Sequence, residues 1–181
     1  IASSEGSVIY LWDRKNGGRQ LARLDKHYGD LRDLAFSPDS RLMVSASADG
    51  TARVWHLDGL RSLAAEAPVL DRLSSRSLSG GHSSSLSSAA FSADSQHIVS
   101  AGADGNISIW SADKGALLSS LRGRHRGKVN QAAFHPDGLR IISAGDDGIV
   151  LVNRCEACVL PLTELKARSK QHLQLSEFDR E

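Results

Sequence analysis

Three histidines, three serines and three aspartates stand at one fixed spacing in this 181-residue chain. His27, Ser45 and Asp49 recur as His82, Ser100 and Asp104, and again as His125, Ser143 and Asp147, with gaps of 18 and 4 in every copy. A tryptophan follows 6 positions after the aspartate in two copies, as Trp55 and Trp110, and Asn153 stands there in the third. Ser, His and Asp are the types that make a nucleophile, its base and the carboxylate that orients the base, so hydrolysis is the first chemistry to weigh. Two features argue against it. An active site is built once, whereas this constellation comes three times, and no Gly-x-Ser-x-Gly nucleophile elbow occurs in the chain. The residues are therefore read as parts of a structural repeat, and none as catalytic.

The elements that must position them repeat too. Val44-Ser-Ala-Ser-Ala-Asp-Gly-Thr-Ala-Arg-Val-Trp55 returns as Val99-Ser-Ala-Gly-Ala-Asp-Gly-Asn-Ile-Ser-Ile-Trp110 and as Ile142-Ser-Ala-Gly-Asp-Asp-Gly-Ile-Val-Leu-Val-Asn153. Ile1 to Trp12 is a blurred copy, with Ala2 and Gly6 in the places of Ser and Asp. The spacing between copies is 43, 55 and 43 positions, so one unit carries an insertion of 12 residues, within Leu60 to Ser85. A period of roughly 40 to 45 residues points to stacked four-stranded units, none able to bury its apolar faces alone.

Within a unit, Leu31–Phe36, Leu86–Phe91 and Val129–Phe134 read as half-buried strands. The turn residues Ser37-Pro-Asp-Ser, Ser92-Ala-Asp-Ser and His135-Pro-Asp-Gly follow. A second strand, an Asp-Gly hairpin and a third strand ending at the tryptophan complete the pattern. Weaker fourth strands are placed at Arg19 to Arg23 and Ala116 to Leu121. Leu60 to Ala67 is read as a short helix or a fourth strand, and Asp71 to Ser85, rich in serine, as a mobile loop. After Asn153 the composition shifts to Leu, Glu, Lys and Arg, and the tail is expected to be helical.

These residues resemble the WD40 repeat family over roughly residues 1 to 153. The resemblance implies an all-β fold: a partial β-propeller of about three to four blades, each of four antiparallel strands, with a short helical C-terminal tail. It divides the chain into residues 1–27 as the end of a preceding blade, 28–82 as a blade with its insertion in 60–85, 83–125 as a blade, 126–160 as a last, incomplete blade, and 161–181 as the tail. It also implies that the His, Ser, Asp and Trp positions form a structural tetrad inside each blade. The chemistry is consistent with that role: Asp accepts from one ring nitrogen, Ser meets the other, and the indole N–H meets Ser.

What the chain does is expected to follow from that architecture. The resemblance implies a non-catalytic scaffold for protein or peptide partners. Tyr28, Asp30, Ser83, Arg126 and Lys128, each just after a repeat histidine, are the candidate contact residues on one rim. The remaining blades of a parent chain are expected against its flanks. The tail is similar to the segment closing WD40 arrays of large bacterial signalling proteins, so the alternative is a regulatory array coupled to an NTPase, protease-like or kinase module. No phosphate-cradling glycine loop or metal-binding helix appears, and no cofactor or metal is expected. Cys155 and Cys158 have metal or redox spacing without a second pair of ligands, and are read as incidental thiols suited to a reducing, cytoplasmic setting. A net charge of +1 supplies no broad basis for nucleic acid binding, and Arg122 to Lys128 is read as a solvated basic loop. No apolar run is long enough to span a bilayer, so no membrane partner is expected.

Overall fold

The computed structural model describes residues 1–15, 17–60, 69–70 and 73–158. Strands dominate, in chain order β1 (Ala2–Glu5), β2 (Val8–Asp13), β3 (Arg19–Leu24), β4 (Leu31–Phe36), β5 (Leu42–Ser47), β6 (Ala52–His56), β7 (Val69–Leu70), β8 (Ser75–Leu78), β9 (Leu86–Phe91), β10 (His97–Gly102), β11 (Ile107–Ser111), β12 (Leu117–Leu121), β13 (Val129–Phe134), β14 (Arg140–Gly145) and β15 (Val150–Arg154). They form four sheets, β1-β2-β3-β7, β4-β5-β6-β8, β9-β10-β11-β12 and β13-β14-β15. Every pairing is antiparallel except β3 with β7. Short Gly- and Asp-bearing turns allow each strand to return beside its predecessor, which gives the meander within a sheet.

The period of two decides where the core lies. On β5, Met43 points to one face and Val44 to the other, and both are fully buried. Met43 and Trp55 pack with Ile9, Leu11, Ala22 and Leu24 of the first sheet. Val44, Ala46, Ala52 and Val54 pack with Leu86, Ala89, Ile98 and Trp110 of the third. Val99, Ala101, Ile107 and Ile109 then meet Val129, Ala132 and Ile141 of the fourth. Each apolar core thus sits between two sheets, and the middle sheets are buried on both faces. Side chains also stitch neighbouring inner strands together. Asp33 Oδ2 accepts the Ala89 N–H at 3.1 Å, and Ser88 Oγ accepts the Ala132 N–H at 3.0 Å.

Several expectations are corrected. Ser75–Leu78, read as part of a mobile loop, is a strand on the outer edge of β6, pairing Leu78 with Ala52 and Ser75 with Trp55. Serine-rich sequence can fill that place because an edge pairs through backbone groups, which need partners whatever side chains they carry. The insertion also reaches back to the preceding sheet. β7 adds in parallel beside β3, and Leu73, 3% exposed, enters the core between the first two sheets. Cys155 and Cys158 are not separate thiols. A single 3₁₀ turn over Glu156–Cys158 folds the chain back, with the Cys158 N–H on the Cys155 carbonyl at 3.2 Å, and brings the Cα atoms to 5.3 Å, where the sulfurs are joined as a disulfide. The expected helix or strand at 61–67 and the helical tail at 161–181 lie outside the described residues.

The last sheet has three strands among the described residues, and its far face is open. Val150 and Val152 are 66% and 57% exposed, whereas Ile107 and Ile109 at the same repeat positions are 0% and 1% exposed. This asymmetry predicts opposite outcomes for one chemical change. Val152→Lys should shift stability by no more than about 0.5 kcal/mol, as exposed substitutions do. Ile109→Lys would place an unpaired ammonium between two sheets and should abolish cooperative folding. Urea unfolding followed by tryptophan emission checks both, and equal effects would mean that the open face is covered.

Candidate functional site

The hairpin between the second and third strands of a unit brings its serine beside its tryptophan. Pairing of Met43 with Trp55, and of Ile98 with Trp110, sets the register. Trp55 Nε1 then donates to Ser45 Oγ at 2.9 Å, Ser45 Oγ lies 2.7 Å from His27 Nε2, and His27 Nδ1 lies 2.8 Å from Asp49 Oδ2. In the next unit the same contacts measure 2.8, 2.8 and 3.1 Å through Trp110, Ser100, His82 and Asp104. In the last, His125 reaches Ser143 at 2.9 Å and Asp147 at 3.0 and 3.1 Å. The eleven repeat residues named from the sequence thus come together as two sets of four and one of three.

Proton counting assigns the histidine state. With a neutral ring carrying its proton on Nδ1, the indole N–H goes to Ser, the Ser O–H to Nε2, and Nδ1–H to the carboxylate. Every donor then has one acceptor. A doubly protonated ring would make Nε2 a donor to Ser, which already accepts from the indole, and would leave the hydroxyl proton with no acceptor in the set. For His27, burial is the largest influence and lowers the pKa, outweighing the pull of Asp49. Burial acts to raise the pKa of Asp49, but the Thr51 hydroxyl, His27 and the backbone N–H groups of Tyr28 and Thr51 overcome it and bring the carboxyl down to about 2. Asp104 is likewise lowered against its burial by the Ser83 N–H and His82, and Asp147 is lowered first by His125.

The arrangement is poorly suited to nucleophilic chemistry. Ser45 and Ser100 are fully buried beneath an indole, so their hydroxyls meet no substrate. Space around the rings is closely adjusted: a Cβ on Gly145 would lie 2.6 Å from His125 Nδ1, and one on Gly102 would lie 2.9 Å from His82 Nδ1. Glycine at these two positions is what lets the ring approach the turn.

The first unit differs from the reading of its sequence. Trp12 Nε1 donates to Ser3 Oγ at 2.8 Å, so Ser3, not Ala2, takes the serine place. Its hairpin closes through two residues, Gly6 and Ser7, between paired Glu5 and Val8, and this shorter turn shifts the serine by one position. In the last unit Asn153 pairs with Ile141 where tryptophan would stand, and its buried Nδ2 has no hydrogen-bond partner among the described residues.

The rim candidates are tied to the same network through their backbones. Asp49, Asp104 and Asp147 accept the N–H groups of Tyr28, Ser83 and Arg126 at 3.0, 2.9 and 3.0 Å. Their side chains are left outward; Tyr28 is 95% exposed. Asp30 and Lys128 are also exposed, and Asp30 lies 4.0 Å from Arg32. Lys128 lines a groove of about 310 Å³ with Arg32, Ser85, Leu86, Ser87 and Asn130. Reasoning from the histidine positions missed Arg32, Ser87 and Asn130. The signal was present, because the three occupy the second position of their inner strands. Among the described residues, no group of three or more His, Cys, Asp or Glu side chains could hold a metal ion, and no helix is long and apolar enough to cross a membrane.

Two outcomes follow from the network. Ser100→Ala removes the acceptor of Trp110 and the partner of His82, and should cost about 1–3 kcal/mol for each buried group left unpaired. Denaturant unfolding measures this, and a loss below about 0.5 kcal/mol would contradict the network. The pH response has a definite sign. The folded-state pKa of His27 is below its ordinary 6.5, so its contribution is complete above that pH and is lost on acidification through the folded value. Asp49 loses its contribution lower, between 3.8 and about 2. The unfolding midpoint should therefore fall from pH 7 to pH 5, and His27→Gln should flatten that slope; a midpoint that rises on acidification would contradict the assignment.

The repeat is matched by known proteins. A family model described as WD domain, G-beta repeat matches residues 18–56, 74–111 and 115–152. The chain is 36% identical over 107 residues to WD repeat and SOCS box-containing protein 1 of Homo sapiens, covering 59% of this chain and 22% of that protein. It is 34% identical over 106 residues to the Periodic tryptophan protein 2 homolog of Neurospora crassa, covering 59% and 10%, and 31% identical over 100 residues to Protein HIR1 of Gibberella zeae, covering 53% and 10%. The matched part is thus 22% or less of the length of each of these relatives. With three matched repeats spread over most of its length, and four stacked sheets to accommodate them, the chain belongs to the WD40 repeat family.

Proposed function

We propose that this chain is a non-catalytic scaffold that binds protein or peptide partners on the rim carrying Tyr28, Asp30, Ser83, Arg126 and Lys128, and that His27, Ser45, Asp49, Trp55 and their counterparts brace that rim. The observation that carries this reading is the double use of each aspartate. One carboxylate holds the buried histidine and also the backbone N–H of the exposed residue beside it. A stiff framework reduces the ordering entropy that binding must overcome, which is what a recognition surface needs.

The open face of the fourth sheet fits a further blade of a parent chain, since Val150 and Val152 occupy positions that are covered by the next sheet in the preceding unit. On this reading residues 1–27, 28–82, 83–125 and 126–160 are successive blade segments of a longer array. The relatives named above are eukaryotic and give no support to a bacterial signalling array. The name of the human relative joins WD repeats to a second element, as a scaffold within a longer protein would be.

A random peptide library displayed against the chain tests the proposal. Selected peptides should protect the backbone amides of residues 28–32, 83–87 and 126–130 from hydrogen exchange. Binders that protect only β15, or none at all after repeated selection, would remove the rim from consideration.

A further inference from the structure

The groove beside Lys128 has a chemistry of its own. Its lining comes from three inner strands or the residues just before them: Arg32 on β4, Ser85 to Ser87 at β9, and Lys128 and Asn130 at β13. Two cations belong to that lining and no carboxylate does. The neighbouring acids are otherwise engaged. Asp33 accepts the backbone N–H groups of Leu34 and Ala89, and Asp146 accepts from Asn130 Nδ2 at 2.6 Å. Asp30 reaches Arg32 only at 4.0 Å, between two side chains more than half exposed, a contact too weak to hold the guanidinium against a competing anion.

The opposite rim carries the contrasting groove, about 230 Å³, lined by Asp39, Asp58 and Asp113 with Arg41 and His56. The two grooves thus differ in the charges that line them, which a net charge of +1 conceals. The cations of the first groove sit on different sheets and are flanked by Asp30 and Asp146. A continuous polyanion would bring charge against those acids, whereas separated carboxylates can meet Arg32 and Lys128 one at a time. No aromatic side chain lines the groove on which a base could stack.

We propose that this groove takes an acidic peptide segment, with carboxylate side chains against Arg32 and Lys128. The proposal rests on the scaffold reading and names the chemistry of its partner. The probe is a fluorescein-labelled octapeptide of alternating Glu and Ser, followed by anisotropy with the whole chain. Its affinity should fall with added salt. Arg32→Gln and Lys128→Gln should each weaken it by about 5-fold or more. Lys114→Gln, an exposed cation in the turn between β11 and β12 and outside the groove lining, should stay within about 2-fold. Both groove cations are exposed, so unchanged tryptophan emission and urea midpoint establish that the variants fold. Equal losses for Lys114→Gln, or no binding by the folded chain, would overturn the proposal. So would an oligonucleotide or a phosphoserine peptide that binds the groove more than about 10-fold tighter. If library-selected peptides bind the rim without regard to Arg32 and Lys128, the acidic partner is wrong while the scaffold stands; if no peptide binds, both fail.

Discussion

The hydrogen-bonded line from indole to serine to histidine to carboxylate is the constraint on which the other contacts depend. It joins the third strand of a unit, its second strand, the loop entering its first strand and the turn between the second and third. Its members are buried, so each must find its partner inside the protein, and a slip by one residue would leave several unpaired at once. Apolar packing alone would tolerate more than one register of strands so rich in Val, Ile, Ala and Ser. The polar line selects one of them.

Stacking of the sheets follows. With the register held, Trp55 and Trp110 project into different inter-sheet cores, and the alternation along β5 and β10 supplies apolar atoms to both faces. The stack also explains where the fold is incomplete. β15 has the same alternation as β6 and β11, but no described sheet follows it, so side chains suited to burial stand exposed. Asn153, whose buried amide nitrogen has no partner among the described residues, lies in the same strand. The copy of the polar line that lost its indole to Asn153 thus lies in a sheet with no described sheet beyond it.

Much of this could be read from residue order. Fixed gaps between His, Ser, Asp and Trp located the inner strands to the residue, because a repeated unit must place equivalent residues in equivalent environments. Turn chemistry marked the hairpins for the same reason. The reading failed where a contact depended on something other than periodicity. Ser3 replaced Ala2 because one hairpin is shorter, and β8 formed from a serine-rich stretch because an edge strand is specified by its neighbour's free backbone groups. Cys155 and Cys158 were joined by a local turn that their spacing permits but does not require.

The candidate groove divides in the same way. Residue order alone determined that this is a repeat of four-stranded units and that each copy sets its His, Ser and Asp at one spacing. These are consequences of local pattern, and local pattern is what a linear sequence carries. Only the tertiary structure decided that Arg32, Ser87 and Lys128, from three different units, line one groove, and that Asp33 and Asp146 are already engaged around it. Which charges remain available to a partner depends on distances across sheets, and these exist only once the sheets have stacked.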